Sequence, residues 1–288
     1  MALTTTVGGV WVLQALLGVE SMPVALRLKP FIPSVHHELI VDSTAGPVPI
    51  AETAEYLSLV QAGVISQTGA VDEPVRDWMT VLGRPDRQAV LAIRRPSVGA
   101  VDNAEDLTVD ERVVVVCRYR RWLAMAARDG DDMVIDAVGE TDDTAAQVDL
   151  MCQTLIPALG VAEPADIDGV NIPTEVIQSA LEAAAPHGRD AVIAAVSRLG
   201  LQPQQAEVLA AATRLDESAM AVAMVIDHGI AQHIHPRVVT VADTEFGRIS
   251  VTTSMSADGK QWMSIWPATH EALHEELAEL LSVPRAAA

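Results

Sequence analysis

The succession of hydrophobic and polar positions occurs twice along the chain, once from Tyr56 to Leu155 and again from Val192 to Leu281. In each segment, two stretches with apolar residues at helical spacing precede several stretches with the alternation of strands. Each segment then closes with a stretch whose apolar residues lie on one helical face. A repeat of this length indicates two halves built on one plan.

Glycine, aspartate and proline mark the ends of the predicted helices. The first helix of each half stops at a glycine, Gly63 or Gly200, the residue type most common just beyond a helix. The second helix starts after Asp72 in the first half and at Pro203 in the second, and both residue types are typical of helix starts. The helical pairs are therefore predicted at matching places.

The strand predictions rest on β-branched runs and on Asp-Gly pairs. Arg112–Cys117 and Arg237–Val241 are rich in valine. The pairs at 129–130 and 258–259 are typical of two-residue hairpin turns, so antiparallel strands should flank them. Ala219–Asp227 contains alanines that would also suit a helix, and only the repeat favours a strand there.

These elements predict an α+β protein with two quasi-twofold-related halves and a central antiparallel β-sheet flanked by helical bundles. The expected halves are residues 1–160 and 161–288, fused into one globular unit. The turn-rich connection 160–173 is taken as the seam between them. The stretch Arg95–Glu111 has no periodicity and should project as an acidic loop.

The net charge of −20, from 39 acidic and 19 basic residues, repels phosphate backbones and anionic lipid. Nucleic acid and membrane are therefore not expected as partners. The longest nearly apolar stretch, Val7–Val19, is too short to cross a bilayer, and no cationic signal region precedes it. With only Cys117 and Cys152 as cysteines, no disulfide framework is predicted, and a cytoplasmic location is expected.

The sequence His270-Glu271-Ala-Leu-His274 matches H-E-x-x-H, in which two histidines can hold zinc and the glutamate can activate water. The extended pattern requires a further glycine and histidine where this chain has Leu277 and Leu280. We therefore expect an ordinary packing helix here, with no catalytic residue, no metal and no cofactor.

A second histidine cluster comprises His228, His233 and His235. Alternate residues of an extended chain place their side chains on one side, so a metal site is conceivable. No cysteine or carboxylate at ligand spacing completes the set, and a solvated polar loop is the favoured interpretation. Whether this loop binds metal is left open.

Several stretches resemble the EspG proteins, the type VII (ESX) secretion chaperones of mycobacteria. They occur in the family order and contain no catalytic signature. The stretches are Leu3–Gly18, Gln61–Val64, Val81–Asp86, Ala126–Gly130, Val170–Pro173, Phe246–Ile249 and Trp266–Thr269.

The resemblance implies a cytosolic chaperone that binds PE/PPE heterodimers of its own ESX system, shields the tip of the PPE helical bundle and keeps the pair soluble for export. A 1:1:1 complex is expected, and the free protein should be a monomer or weak homodimer. The implied surface is the central sheet, the second-half helical bundle and the loop before Arg112. Asp136 resembles an acidic strand position that contacts PPE in relatives.

The remaining predicted partner-binding residues come from position and pattern. They are the loop acids Asp102, Glu105 and Asp106 and the strand residues Val113 and Val115. Met125 and Ile135 could extend the apolar face, although alternation alone does not say which side chains point outward. Two other functions stay open: a zinc hydrolase using His270, Glu271 and His274, and a component of the secretion apparatus that binds no cargo.

Overall fold

The computed structural model describes residues 2–32, 39–43, 46–96, 109–214 and 217–284, which form two compact units. The first unit is drawn from Met1–Ala89, Arg112–Thr154 and His228–Gln232. The second is drawn from Val90–Glu111, Leu155–Asp227 and His233–Ala288. The division into halves 1–160 and 161–288 stays a prediction.

Short helices and the start of a longer one belong to the first unit. Their bounds are α1 Val7–Leu17, α2 Ala54–Gln61, α3 Glu73–Gly83 and α4 Thr144–Ala158. Helix α1 begins where the Thr6 hydroxyl accepts the Gly9 N–H at 3.1 Å. It ends at Gly18, whose φ of 66° is left-handed and favours glycine. The apolar stretch that is too short to cross a bilayer is therefore a capped helix.

Antiparallel strands form the sheet of the first unit, with the order β1-β7-β6-β5. Strand β4 begins in this unit and continues in the second. The bounds are β1 Leu3–Thr6, β2 Ile40–Ser43, β3 Gly46–Pro49, β4 Arg87–Pro96, β5 Val109–Tyr119, β6 Trp122–Asp129 and β7 Asp132–Glu140. Strands β2 and β3 form a separate hairpin. Asp129 pairs with Asp132, so the hairpin expected at 129–130 is confirmed, with its two-residue turn at 130–131.

The core of the first unit follows the predicted helical stripes. In α3, Val75, Met79 and Leu82 are buried, as expected for residues spaced by four and three positions along one helix face. On the sheet, Met133 and Ile135 of β7 are fully buried. Their burial fixes which face of the sheet belongs to the core, because alternate strand residues share a face.

A polar network attaches the start of α4 to the sheet of the first unit. Arg118 Nε donates to Asp86 Oδ1 at 2.7 Å, and Arg118 Nη1 donates to Gln147 Oε1 at 3.1 Å. The amide nitrogen of Gln147 donates to the carbonyl oxygens of Arg120 and Thr141 at 3.1 and 2.7 Å. The buried amide of Gln147 is therefore satisfied at both its oxygen and its nitrogen.

The second unit contains a helical cluster and a second antiparallel sheet region. Its helices are α5 Thr174–Ala184, α6 Arg189–Arg198, α7 Pro203–Ala212 and α8 His270–Leu281. Its strands are β8 Val170–Pro173, β9 Ala219–His228, β10 Gln232–Ile234, β11 Val239–Thr244, β12 Gly247–Met255 and β13 Gln261–Pro267. The order β9-β11-β12-β13-β8 is antiparallel where the registers are defined, and β9 confirms the strand predicted at 219–227.

The expected seam at 160–173 is held firmly within the second unit. Arg248, itself 4% exposed, donates to the carbonyl oxygens of Leu159 and Gly160, at 3.0 Å in both cases. Strand β8, at the end of the segment, pairs with β13. Gly247 has a φ of 112°, and a Cβ there would lie 2.7 Å from the backbone of Ala165. Only glycine allows this close approach.

Helix α8 is attached to its strands by leucines and by carboxylates. Leu273, Leu277, Leu280 and Leu281 are buried. The Ser250 hydroxyl donates to Glu276 Oε1 at 2.9 Å, and Arg237 forms an ion pair with Glu279. Burial raises the pKa of Glu276, and the Arg237 hydrogen bond lowers the pKa of Glu279.

The order of elements occurs twice, as the hydrophobic pattern predicts. Helices α2 and α3, strands β4 to β7 and helix α4 are followed later by α6 and α7, the strands from β9 to β13 and α8. The α+β class and the large antiparallel sheet are confirmed. Within the described ranges, no helix is long and apolar enough to span a membrane.

Candidate functional site

One face of the first unit's sheet is only partly covered. We call it the open face and define it by Thr4 of β1, Val134 and Asp136 of β7, and Met125 and Ala127 of β6. Thr4 is opposite Val134, Val134 opposite Ala127, and Asp136 opposite Met125. Thr4 is exposed and the other four are half-buried. Apolar groups and one carboxylate are therefore accessible together on a rigid sheet.

Asp136 lies near one end of the open face, just beyond the part of β7 that pairs with β1. Its carboxylate accepts the N–H of Ala137 at 2.9 Å. The side chain is half-buried, and its register partner on the next strand is Met125. A carboxylate next to apolar surface is suited to select a partner with a complementary cation or hydrogen-bond donor.

The opposite end of the open face carries an ion pair. Arg112 of β5 is opposite Asp129 of β6, and Arg112 Nε donates to Asp129 Oδ2 at 3.0 Å. Asp132 of β7 pairs with Asp129 in the register and is exposed. Charged groups thus lie at both ends of a central apolar row, which resembles the polar rim and apolar centre of protein interfaces.

Val113 and Val115 of β5 do not lie on an accessible surface. Their exposed fractions are 6% and 0%. Val115 is opposite Ala126 and, across β6, shares the core face with Ile135, which is also fully buried. The expectation that these valines offer a partner-binding surface is therefore not supported by their placement. Met125 and Val134 are instead on the opposite, partly exposed face.

Asp102, Glu105 and Asp106 lie outside the described residues, as does most of the acidic stretch that contains them. At the end of that stretch, strand β5 begins at Val109 and leads to Arg112. The role expected of the three carboxylates stays a prediction.

The histidines of the two motifs do not converge on one site, although the rings of His233 and His235 contact each other with centroids 5.1 Å apart. His235 Nε2 is 2.8 Å from Asp227 Oδ2, and both side chains are buried, so His235 is not part of a solvated loop. His228 Nε2 is instead 3.2 Å from Gln88 Oε1. His270 is exposed in the first turn of α8, and His274 is half-buried. Among the described residues, no group of three potential ligands could hold a metal ion.

The sequence model of the EspG family matches residues 6–279. The chain belongs to the EspG family. The resemblance carried by its sequence motifs is therefore confirmed, and it extends over nearly the whole chain.

Curated relatives come from several ESX systems. The ESX-2 secretion-associated protein EspG2 of Mycobacterium tuberculosis is 29% identical over 262 residues, covering 88% of this chain and 85% of that protein. The ESX-5 secretion-associated protein EspG5 of Mycobacterium marinum is 26% identical over 279 residues, covering 93% and 88%. Both matches span most of each protein.

A solved structure of Mycobacterium tuberculosis EspG5, the type VII secretion system chaperone in complex with the PE25-PPE41 dimer, shares the fold. Its TM-score is 0.73 at 24% identity, with 98% of this chain and 96% of that chain covered. The likeness shows that this chain has the fold of that EspG5 structure.

Proposed function

We propose that this protein is a cytosolic chaperone that binds PE/PPE heterodimers of its own ESX secretion system and keeps them soluble and competent for export. The observation that carries the proposal is the match of residues 6–279 to the EspG family, together with the likeness to an EspG5 that is bound to a PE25-PPE41 dimer in its structure. The function needs complementary surfaces and no catalytic step. It also agrees with the net charge of −20, which keeps a protein with an apolar binding surface from self-association.

The open face supports this role in the first unit. Met125, Val134 and Ala127 offer apolar surface, and Asp136 contributes one carboxylate beside it. A buried apolar centre with a few polar contacts at its edge is the usual composition of a specific protein interface. We place the PPE contact here, with Asp136 selecting a cationic or hydrogen-bond-donating group on the partner.

The experiment is co-expression with PE/PPE pairs encoded near the gene, followed by size exclusion and mass measurement. A 1:1:1 complex is expected for the natural chain. Asp136→Arg should weaken it by about tenfold or more, because the reversed charge faces the same partner group. Asp142→Arg is the matched control, since Asp142 is an exposed carboxylate in the turn before α4.

Two outcomes would support a different function. If no PE/PPE pair co-elutes but secretion-apparatus proteins do, the protein is a component that binds no cargo. If the purified protein carries stoichiometric zinc and loses a hydrolytic activity on Glu271→Gln, the hydrolase function is supported and the chaperone is not the sole function.

A further inference from the structure

A groove of about 650 Å³ lies in the first unit on the core side of the sheet, away from the open face. Helix α3 forms one wall, and the turn between β5 and β6 with the end of β7 forms the other. We call it the α3 groove. Alternate strand residues point to opposite faces: Ala124 and Ala137, which line the groove, share the face of Ile135 and not that of Asp136.

The walls of the α3 groove are mainly apolar. Trp78 and Val81 come from α3, and Tyr119, Trp122 and Leu123 come from the strands. Trp122 is 42% exposed, Trp78 and Tyr119 are half-buried, and Leu123 is buried. In a chain with 3% aromatic residues, three aromatic side chains around one concave surface are a concentration of the groups that anchor partners.

The charge at the edge of the groove is acidic. Glu73 and Asp77 are exposed on α3 and lie four residues apart, so they share one helix face. Among the described residues, neither of these carboxylates forms an ion pair. On the other wall, Arg121 is bound to Glu140 at 2.7 Å and lies 5.1 Å from the Trp122 ring. Arg120, also exposed, lies 5.3 Å from the Tyr119 ring. The edge of the groove therefore carries the carboxylates of Glu73 and Asp77 against the one guanidinium of Arg120, and its net charge is negative.

We propose that the α3 groove binds a segment of a partner protein that carries apolar anchor side chains flanked by lysine or arginine. The apolar walls would bury the anchors, as grooves do for amphipathic segments. The two carboxylates of α3 complement the flanking cations and select against acidic segments. This site is distinct from the open face, and the proposal does not rest on the proposed function.

The probe is a short fluorescein-labelled peptide with two leucines one helical turn apart and lysines on both sides, titrated into the full chain and followed by anisotropy. A second peptide has glutamate in place of every lysine. The lysine peptide should bind, with affinity that falls as salt rises, and the glutamate peptide should not. Equal binding of both peptides would overturn the proposal.

Two variants locate the binding. Asp77→Lys should weaken the lysine peptide by about tenfold or more, and it should not harm α3, because the introduced lysine would follow Glu73 at a favourable helical spacing. Trp122→Ser should weaken it through loss of the anchor wall. Glu207→Lys, the same charge change on an exposed residue of α7, should stay within about twofold.

If Asp77→Lys and Glu207→Lys have the same effect, attraction to the net charge explains the binding and the α3 groove is not the site. The PE/PPE complex serves as a separate readout, since Asp77→Lys should leave it intact. If neither the natural chain nor any variant forms a PE/PPE complex, but the natural chain still binds the lysine peptide, the proposed function is rejected. Binding at the α3 groove is then still supported.

Discussion

Helices α4 and α8 end the two repeats of the element order, and different chemistry attaches them to their strands. In the first unit, the neutral amide of Gln147 makes hydrogen bonds of 3.1, 3.1 and 2.7 Å to Arg118, Arg120 and Thr141. In the second unit, Glu276 accepts one hydrogen bond from Ser250, and its Oε2 is buried without a partner among the described residues. The side chain of Gln147 does not titrate and that of Glu276 does, so the two attachments should differ in their dependence on pH.

Helices α4 and α8 occupy matching places in the order of elements, but their polar contacts differ. The order of elements therefore does not determine these contacts. A satisfied buried amide stabilises at any pH, whereas a partly satisfied buried carboxylate is less favourable when ionised. The first unit thus attaches α4 to its sheet through the side chain of Gln147, which does not titrate.

The largest expected effect on stability comes from Gln147→Leu. The substitution keeps the volume but removes three hydrogen bonds and leaves two carbonyl oxygens unpaired. We expect the free energy of unfolding to fall by about 2 kcal/mol, measured by urea denaturation and unchanged in size across pH. Gln153→Leu, on an exposed position of the same helix, should change it by less than about 0.5 kcal/mol.

A smaller effect, with a defined sign, is expected at Glu276. Its pKa in the folded protein lies above the ordinary value of 4.5 because of burial. The unfolded chain therefore ionises first, and stability is lost as pH rises from about 4.5 to the folded pKa. Glu276→Gln removes this loss, so it should stabilise the protein at neutral pH by about 0.5 kcal/mol after allowance for solvent screening.

Glu279→Gln is the matched control, three residues further along α8. The Arg237 hydrogen bond lowers the pKa of Glu279, so its contribution is present above the unfolded pKa and is lost as pH falls through the folded value. This variant should therefore destabilise the protein at neutral pH. Both variants are measured by urea denaturation at neutral pH. If both raise or both lower the free energy of unfolding, the two carboxylates do not differ in the way described.

The smallest effect on stability is expected for Asp136→Arg. The carboxylate is half-buried at the edge of the open face and accepts the N–H of the adjacent Ala137. We expect a change below about 0.5 kcal/mol in unfolding free energy, together with the loss of PE/PPE binding described above. A large loss of stability would mean that Asp136 supports the fold and that its effect on binding is indirect.

The sequence predicted the repeated helices and strands, the hairpin at 129–130 and the buried stripe of α8. It also predicted the hairpin at 258–259, but there Met255 pairs with Gln261 and the loop has five residues, not two. These features depend on local turn chemistry and on periodicity, and both are determined by residues that are close together in the sequence. It did not predict β8 or α5. Strand β8 is four residues long and contains Asn171 and Pro173, so only its pairing with β13 defines it.

The candidate surface was only partly predictable. Asp136 was identified through the family resemblance, but Val113 and Val115 were chosen although they belong to a continuous apolar run from Val113 to Cys117. Such a run is typical of a strand buried on both faces, and both side chains are buried in the structure. The choice of Met125 over Ile135 required the register of β6 and β7, which no local pattern supplies.

The most direct test of the central claim is site-specific photo-crosslinking in the PE/PPE complex. A benzophenone amino acid in place of Met125 reports contact at the open face, and one in place of Ser58, exposed on α2, is the control. We expect a crosslink from position 125 to the PPE subunit and none from position 58. A complex that forms normally but gives no crosslink from position 125 would contradict the claim that the open face holds the partner.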